Sequence, residues 1–165
     1  MHELIGRELE WQELDRLRQQ RIMTELAAEG PMPGVMEMLA AAQGLPRVVV
    51  SSSTPQWVGD WLHRLELRQH FDDMVCRGDA PRIKPAPDLF LEAARRLDVN
   101  PQQCLVIEDS LNGVRAAQAA GMQVWAVPNR VTAGLVFHGV DALLPSLQHG
   151  AERLNSLRDG ADKSL

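Results

Sequence analysis

The stretch Leu105–Gly121, LVIEDSLNGVRAAQAAG, constrains this chain more than any other. Leu105, Val106 and Ile107 are apolar and branched, which predicts a short buried strand. That strand delivers two carboxylates, Glu108 and Asp109, at its carboxyl end, and Ser110 with the Asn112-Gly113 pair then opens a helix. In open α/β sheets, ligands sit just beyond the carboxyl ends of strands. Two adjacent acids beside a helix amino terminus suit a hard cation and an anion bound side by side. The stretch therefore reads as a magnesium and phosphate site.

The rest of the chain supplies a matching framework. Residues 1–29 are charged and carry no strand signal; Trp11, Leu14, Ile22 and Leu26 fall on one side of a helix. Gly30-Pro31-Met32-Pro33-Gly34 breaks that helix and reads as a hinge. Beyond it the pattern alternates. A helix over Val35–Gln43 is stopped by Gly44, and Val48–Val50 form a buried strand. Thr54-Pro55 opens a helix to about Leu65, with Thr54 as N-cap and proline at the first position. Asp73–Cys76 form a strand, Pro87–Leu97 a helix, Leu111–Ala120 another, and Val124–Val127 a last strand. This rhythm predicts right-handed βαβ units: an α/β, three-layer sandwich around a parallel sheet. The expected organisation is a helical segment at 1–30, an α/β core at 31–150 and a frayed polar tail at 151–165.

Composition removes several classes of function. Twenty-two acidic against 17 basic residues give a net charge of −5, and no lysine or arginine run offers a track for nucleic-acid phosphates. No apolar run approaches the roughly 20 residues a membrane span needs, and the start MHELIGRELEW lacks the apolar core of a signal peptide. Cys76 and Cys104 lie outside any metal-ligand spacing and read as reduced thiols. The expectation is a soluble cytoplasmic protein with no nucleic-acid or membrane partner.

Three loops carry candidate chemistry. Ser51-Ser52-Ser53-Thr54 follows the strand at 48–50, where hydroxyls and helix-terminal amides suit a phosphate, although plain N-capping explains the same residues. Lys84 stands before Pro85, in a loop that the prolines stiffen, so its ammonium has a fixed direction; alone it would be a solvated surface charge. Glu108-Asp109 is the third, with acids decorating a helix dipole as its plain alternative.

Taken in order, a Ser or Thr after a strand, Lys-Pro ahead of a helix, and a strand ending in Glu-Asp-Ser-x-x-Gly resembles the haloacid dehalogenase superfamily. The likeness is to its β-phosphoglucomutase-like and sugar-phosphate phosphatase branch, and covers roughly residues 31 to 147. It includes the hinge Pro31, Pro33, Gly34 and Val35, which in that family leads from a helical cap to the core. The resemblance implies that Ser51, with Ser52, binds the transferring phosphoryl group. It implies that Lys84 neutralises charge and orients the nucleophile, and that Glu108 and Asp109 hold Mg²⁺ directly or through water. Phosphoryl transfer is mostly positioning and charge stabilisation, which this set supplies. Asp88 and Asn112 are expected to cap or brace the loops.

One part of the family pattern has no counterpart. The family places an aspartate nucleophile and an acid/base aspartate in an Asp-x-Asp motif after its first strand, and this sequence contains no Asp-x-Asp. Asp72-Asp73 precedes a strand, and Asp159 and Asp162 are three apart. By resemblance, roughly sixty residues would be absent: the first strand, its loop and the start of the cap, with 1–30 as the cap remnant. That strand lies centrally in the family, so its loss predicts two facing edges. Either they close on each other, a segment from the tail or another chain fills the slot (a strand-exchanged dimer among the options), or the chain folds poorly. The expected function is a Mg²⁺-dependent phosphohydrolase of small phosphorylated metabolites, sugar phosphates first, truncated and inactive as written. The alternatives are a non-catalytic metabolite-binding or interaction module, a phosphomutase, and a receiver-like phosphoacceptor role for Asp109.

Overall fold

A computed structural model describes residues 11–25 and 29–160. The chain divides into two compact units, Met1–Pro31 and Met32–Leu165. The first contains helix α1 (Trp11–Glu25), where Arg21 pairs with Glu25 one turn on at 2.7 Å. Leu14 and Leu17 are exposed on it; Leu26, expected on its apolar side, lies outside the described residues.

The second unit is an α/β fold. In chain order it runs α2 (Val35–Ala41), β1 (Val48–Val50), α3 (Pro55–Arg64), β2 (Asp73–Val75), α4 (Asp88–Arg96), β3 (Leu105–Glu108), α5 (Leu111–Ala119), β4 (Gln123–Ala126), β5 (Ala142–Leu143) and α6 (Leu147–Arg158). All strand pairs are parallel: β1 with β2, β3 with β4, and β4 with β5. The expected helices and strands form where the local chemistry placed them. Thr54 caps α3, accepting from the Trp57 N–H at 3.4 Å with Pro55 at the first position, and Ser110 caps α5, accepting from the Gly113 N–H at 3.0 Å.

Alternation along the strands sorts the helices into two layers. Val48, Val50 and Val75 pack against Leu89 and Ala93 of α4, while Val49 and Met74 face Leu39 of α2 and Val58 and Leu62 of α3. On β3 and β4, Val106, Val124 and Ala126 pack on Val114, Ala116 and Ala117 of α5. Trp125, fully buried, faces the opposite way, under the Arg153 guanidinium of α6 at 5.5 Å. Helix α2 packs along α6, and α4 touches α5, which completes three layers.

One expectation needs correction. The polar stretch expected as a frayed tail over 151–165 is helical to Arg158: Ala151 is buried, and Arg158 donates to the Gln43 carbonyl at 2.9 Å and to that of Ala41. Its polar residues are the solvent side of an amphipathic helix capped by Ser146. Gly34 serves that packing: its φ is +88°, and a Cβ there would stand 2.6 Å from Gln148 of α6. Residues 161–165 lie outside the described residues.

The sheet is parallel throughout, as expected. The strands lie in two parts, β1-β2 and β3-β4-β5. The expected facing edges exist, and they do not close on each other. Backbone bonds from Ser51 N to Val75 O (2.9 Å) and Asp72 N to Arg47 O (2.8 Å) turn alternate residues of β1 toward β2. Val48 and Val50 therefore point their peptide groups the other way. On β3, Gln123 N to Cys104 O and Val127 N to Glu108 O send alternate groups to β4, which leaves Leu105 and Ile107 on the outer side. Neither edge has a strand partner among the described residues.

Candidate active site

The carboxyl ends of β1 and β3 open into a cavity of about 780 Å³. Ser51, Ser52, Lys84, Glu108 and Asp109, the five residues singled out in the sequence, all line it. Apolar groups complete its wall, notably Val50, Ile107 and Leu147.

Lys84 is the centre of the arrangement. The loop that carries it is pinned by a bidentate pair between Arg82 and Asp88, both contacts at 2.9 Å, and Asp88 begins α4. The Lys84-Pro85 peptide is cis. The ammonium reaches back to the end of β1, donating to the Val50 carbonyl at 2.9 Å, and forms an ion pair with Glu108 at the end of β3. Beneath it the buried Phe90 ring lies 4.6 Å away, a cation–π contact. The pair is largely buried, with the lysine side chain 11% and the glutamate 8% exposed. Lys84 thus ties the unpaired edge of one part of the sheet to the tip of the other. An ammonium has three donors, so one remains for a ligand.

Glu108 has a protein partner at each oxygen. One oxygen meets Lys84 and the other accepts from the Ser110 hydroxyl at 3.0 Å. The carboxylate rests on the first turn of α5 at Gly113, where a Cβ would stand 1.9 Å from Glu108 Cδ. Asp109, in contrast, is exposed. Its Oδ2 accepts from Asn129 Nδ2 at 2.7 Å, while Oδ1 has no hydrogen-bond partner among the described residues.

The serine loop has one satisfied hydroxyl and one orphan. Ser51 Oγ accepts from the Ser53 N–H at 3.1 Å. Ser52 Oγ is buried in the cavity wall with no hydrogen-bond partner among the described residues. An unpaired buried hydroxyl costs about 1–3 kcal/mol.

Among the described residues no three His, Cys, Asp or Glu side chains converge to hold a metal. The two acids at the cavity, Glu108 and Asp109, suit Mg²⁺, which binds through one or two carboxylates and takes its remaining oxygens from water and phosphate. Asp109 offers the open oxygen.

Sequence reasoning did not single out Phe90 or Asn129. Phe90 carries only the signature of a core residue. Asn129 was detectable, because it follows β4 at the same carboxyl ends that position Ser51 and Glu108.

Comparison with known proteins identifies the family and the fold. A family model described as haloacid dehalogenase-like hydrolase matches residues 1–121. YhcW of Bacillus subtilis (strain 168) is 40% identical over 149 residues, covering 89% of this chain and 68% of its own. The phosphorylated carbohydrates phosphatase of Thermotoga maritima is 33% identical over 142 residues, covering 84% of this chain and 64% of its own. The crystal structure of CbbY from Rhodobacter sphaeroides in complex with phosphate superposes with a TM-score of 0.77 at 30% identity, over 86% of this chain and 66% of that one. The chain thus spans about two thirds of the length of these relatives.

Proposed function

Since the chain belongs to the haloacid dehalogenase-like hydrolases, we propose that its cavity binds the phosphate of a small phosphorylated metabolite, a sugar phosphate first, beside Mg²⁺. The observation that carries this reading is the convergence of the Lys84 ammonium, the Ser51-Ser52 loop and the Asp109 carboxylate, whose Oδ1 has no partner among the described residues, on one cavity. Ser51 and Ser52, at the amino terminus of α3, would bind phosphate oxygens, and Lys84 would offset their charge. Asp109 would hold the cation directly, and Glu108 would act through Lys84 and through water. When bound, Mg²⁺ would add charge neutralisation at the phosphate. Among relatives, CbbY has been crystallised with phosphate and, as a mutant, with xylulose-(1,5)-bisphosphate, which supports a phosphorylated sugar.

The reaction this family reading implies is phosphate ester hydrolysis, with phosphomutase as its variant. The sequence holds no Asp-x-Asp to accept the phosphoryl group. These 165 residues would therefore bind the ligand with negligible turnover, since losing a nucleophile costs several orders of magnitude. Phosphate release from a panel of sugar phosphates, with Mg²⁺ and with chelator, tests this. The expected result is no release above that of Lys84→Ala; chelator-sensitive release lost in that variant overturns the inactivity.

The paired open edges favour a second element of the reading. A further extended segment, from an N-terminal piece or a second copy, would lie between β1 and β3 and take up the peptide groups of Val48, Val50, Leu105 and Ile107. Solution mass with amide exchange tests it: slow exchange at Val50 and Ile107 in a dimer supports strand exchange, and a well-folded monomer exchanging fast there rules it out.

A further inference from the structure

Asn129 is held from both ends of its side chain. Its Oδ1 accepts from the backbone N–H of Val131 at 2.7 Å and of Thr132 at 3.0 Å, and its own N–H donates to Thr132 Oγ1 at 3.0 Å. Its Nδ2 donates to Asp109 Oδ2 at 2.7 Å. Two backbone N–H groups can be met only by the amide oxygen, so the network itself fixes the nitrogen as the atom that faces Asp109. Thr132, which closes the turn, is also part of the cavity wall.

We propose that Asn129 is a positioning residue for Asp109. By holding Oδ2, the amide removes the torsional freedom of an otherwise exposed carboxylate and leaves Oδ1 as the single oxygen open to a cation. A neutral donor suits that role. A lysine or arginine there would neutralise the acid and repel the cation; a second carboxylate would compete with it for the metal. The turn at 129–132 thereby couples the loop after β4 to the acid after β3, on the adjacent paired strand. The inference rests on the reading of Asp109 as the cation-facing acid.

Mn²⁺ is a suitable probe, because the free aqueous ion is counted directly by its electron paramagnetic resonance signal. The full chain is titrated as wild type, Asn129→Ala, Asn129→Ser and Asp109→Asn, with thermal unfolding recorded for each. Serine keeps an acceptor for the turn and is too short to reach Asp109. The expected result is loss of binding in Asp109→Asn and about tenfold weaker binding in both Asn129 variants, as is usual for an outer-shell partner. Asn129→Ser is expected to unfold near the wild-type temperature. Wild-type affinity in Asn129→Ser, with weakening confined to Asn129→Ala and tracking its lost stability, overturns the inference and leaves Asp109 as the acid. Wild-type affinity in Asp109→Asn overturns the metal reading and this inference with it.

Discussion

Lys84 and Glu108, 24 residues apart in the chain, form a largely buried ion pair that joins the ends of the two parts of the parallel sheet. Each partner has a second fixed contact, Val50 O for the lysine and the Ser110 hydroxyl for the glutamate. Removing one partner leaves the other charge unpaired at the cavity wall, and such losses cost up to about 3–5 kcal/mol. Lys84→Met is therefore expected to lower unfolding free energy by up to that amount in urea titrations. The double variant Lys84→Met/Glu108→Leu is expected to lose less than the sum of the two single changes. Additive losses would mean that the pair is not coupled.

Gly113 makes room for that pair. A Cβ at this position would stand 1.9 Å from Glu108 Cδ, inside van der Waals contact, so the carboxylate must move. Gly113→Ala is expected to destabilise by about 1–3 kcal/mol despite the better helix propensity of alanine. Chemical denaturation checks it, and a stabilised variant would show that Glu108 rests elsewhere.

Acid stability follows from a different cluster. Glu92 is bonded by Arg95 at 2.7 Å and Arg96 at 2.8 Å, and these guanidinium hydrogen bonds hold its carboxyl down from 4.5 to about 2. Asp79 is lowered too, by the Cys76 backbone N–H and then by Arg96. A depressed acid stabilises the fold above its unfolded pKa, and the contribution is lost as pH falls through the folded value. The melting-temperature gap between wild type and Glu92→Gln is expected to be constant above about pH 4.5. It should narrow on acidification and close near pH 2. A gap that does not change across that window would contradict the assignment.

The helix cap at Ser110 serves two ends at once, accepting from the Gly113 N–H and donating to Glu108. Ser110→Ala is expected to cost about 1–2 kcal/mol, more than Thr54→Ala, whose longer 3.4 Å cap has no carboxylate partner. Equal losses by calorimetry would reduce Ser110 to an ordinary cap.

Much of the core was legible because its signals are local. Thr54-Pro55 and Ser110 cap helices through groups within three residues, and Leu105–Ile107 is a strand by side-chain type alone. The site residues were legible for a related reason: Ser51 and Glu108 sit at strand ends, where the fold collects ligands. What escaped the reading depends on long-range contact. Helix α6 is polar on one side and is recognisable only once Ala151 and Arg158 meet the α2 region. Strand β5 has two residues, too short for any periodicity, and exists through pairing with β4. The role of Asn129 depends on a side chain 20 residues away.

The most direct test of the account is calorimetric titration of the chain with inorganic phosphate, in Mg²⁺ and in chelator, for wild type and the Ser51→Ala/Ser52→Ala variant. The account predicts binding that is strengthened by Mg²⁺ and weakened at least about a hundredfold by loss of the two hydroxyls, as expected for losing two hydrogen bonds to a charged group. Affinity indifferent to both the metal and the hydroxyls would place the phosphate elsewhere and contradict the reading of this cavity.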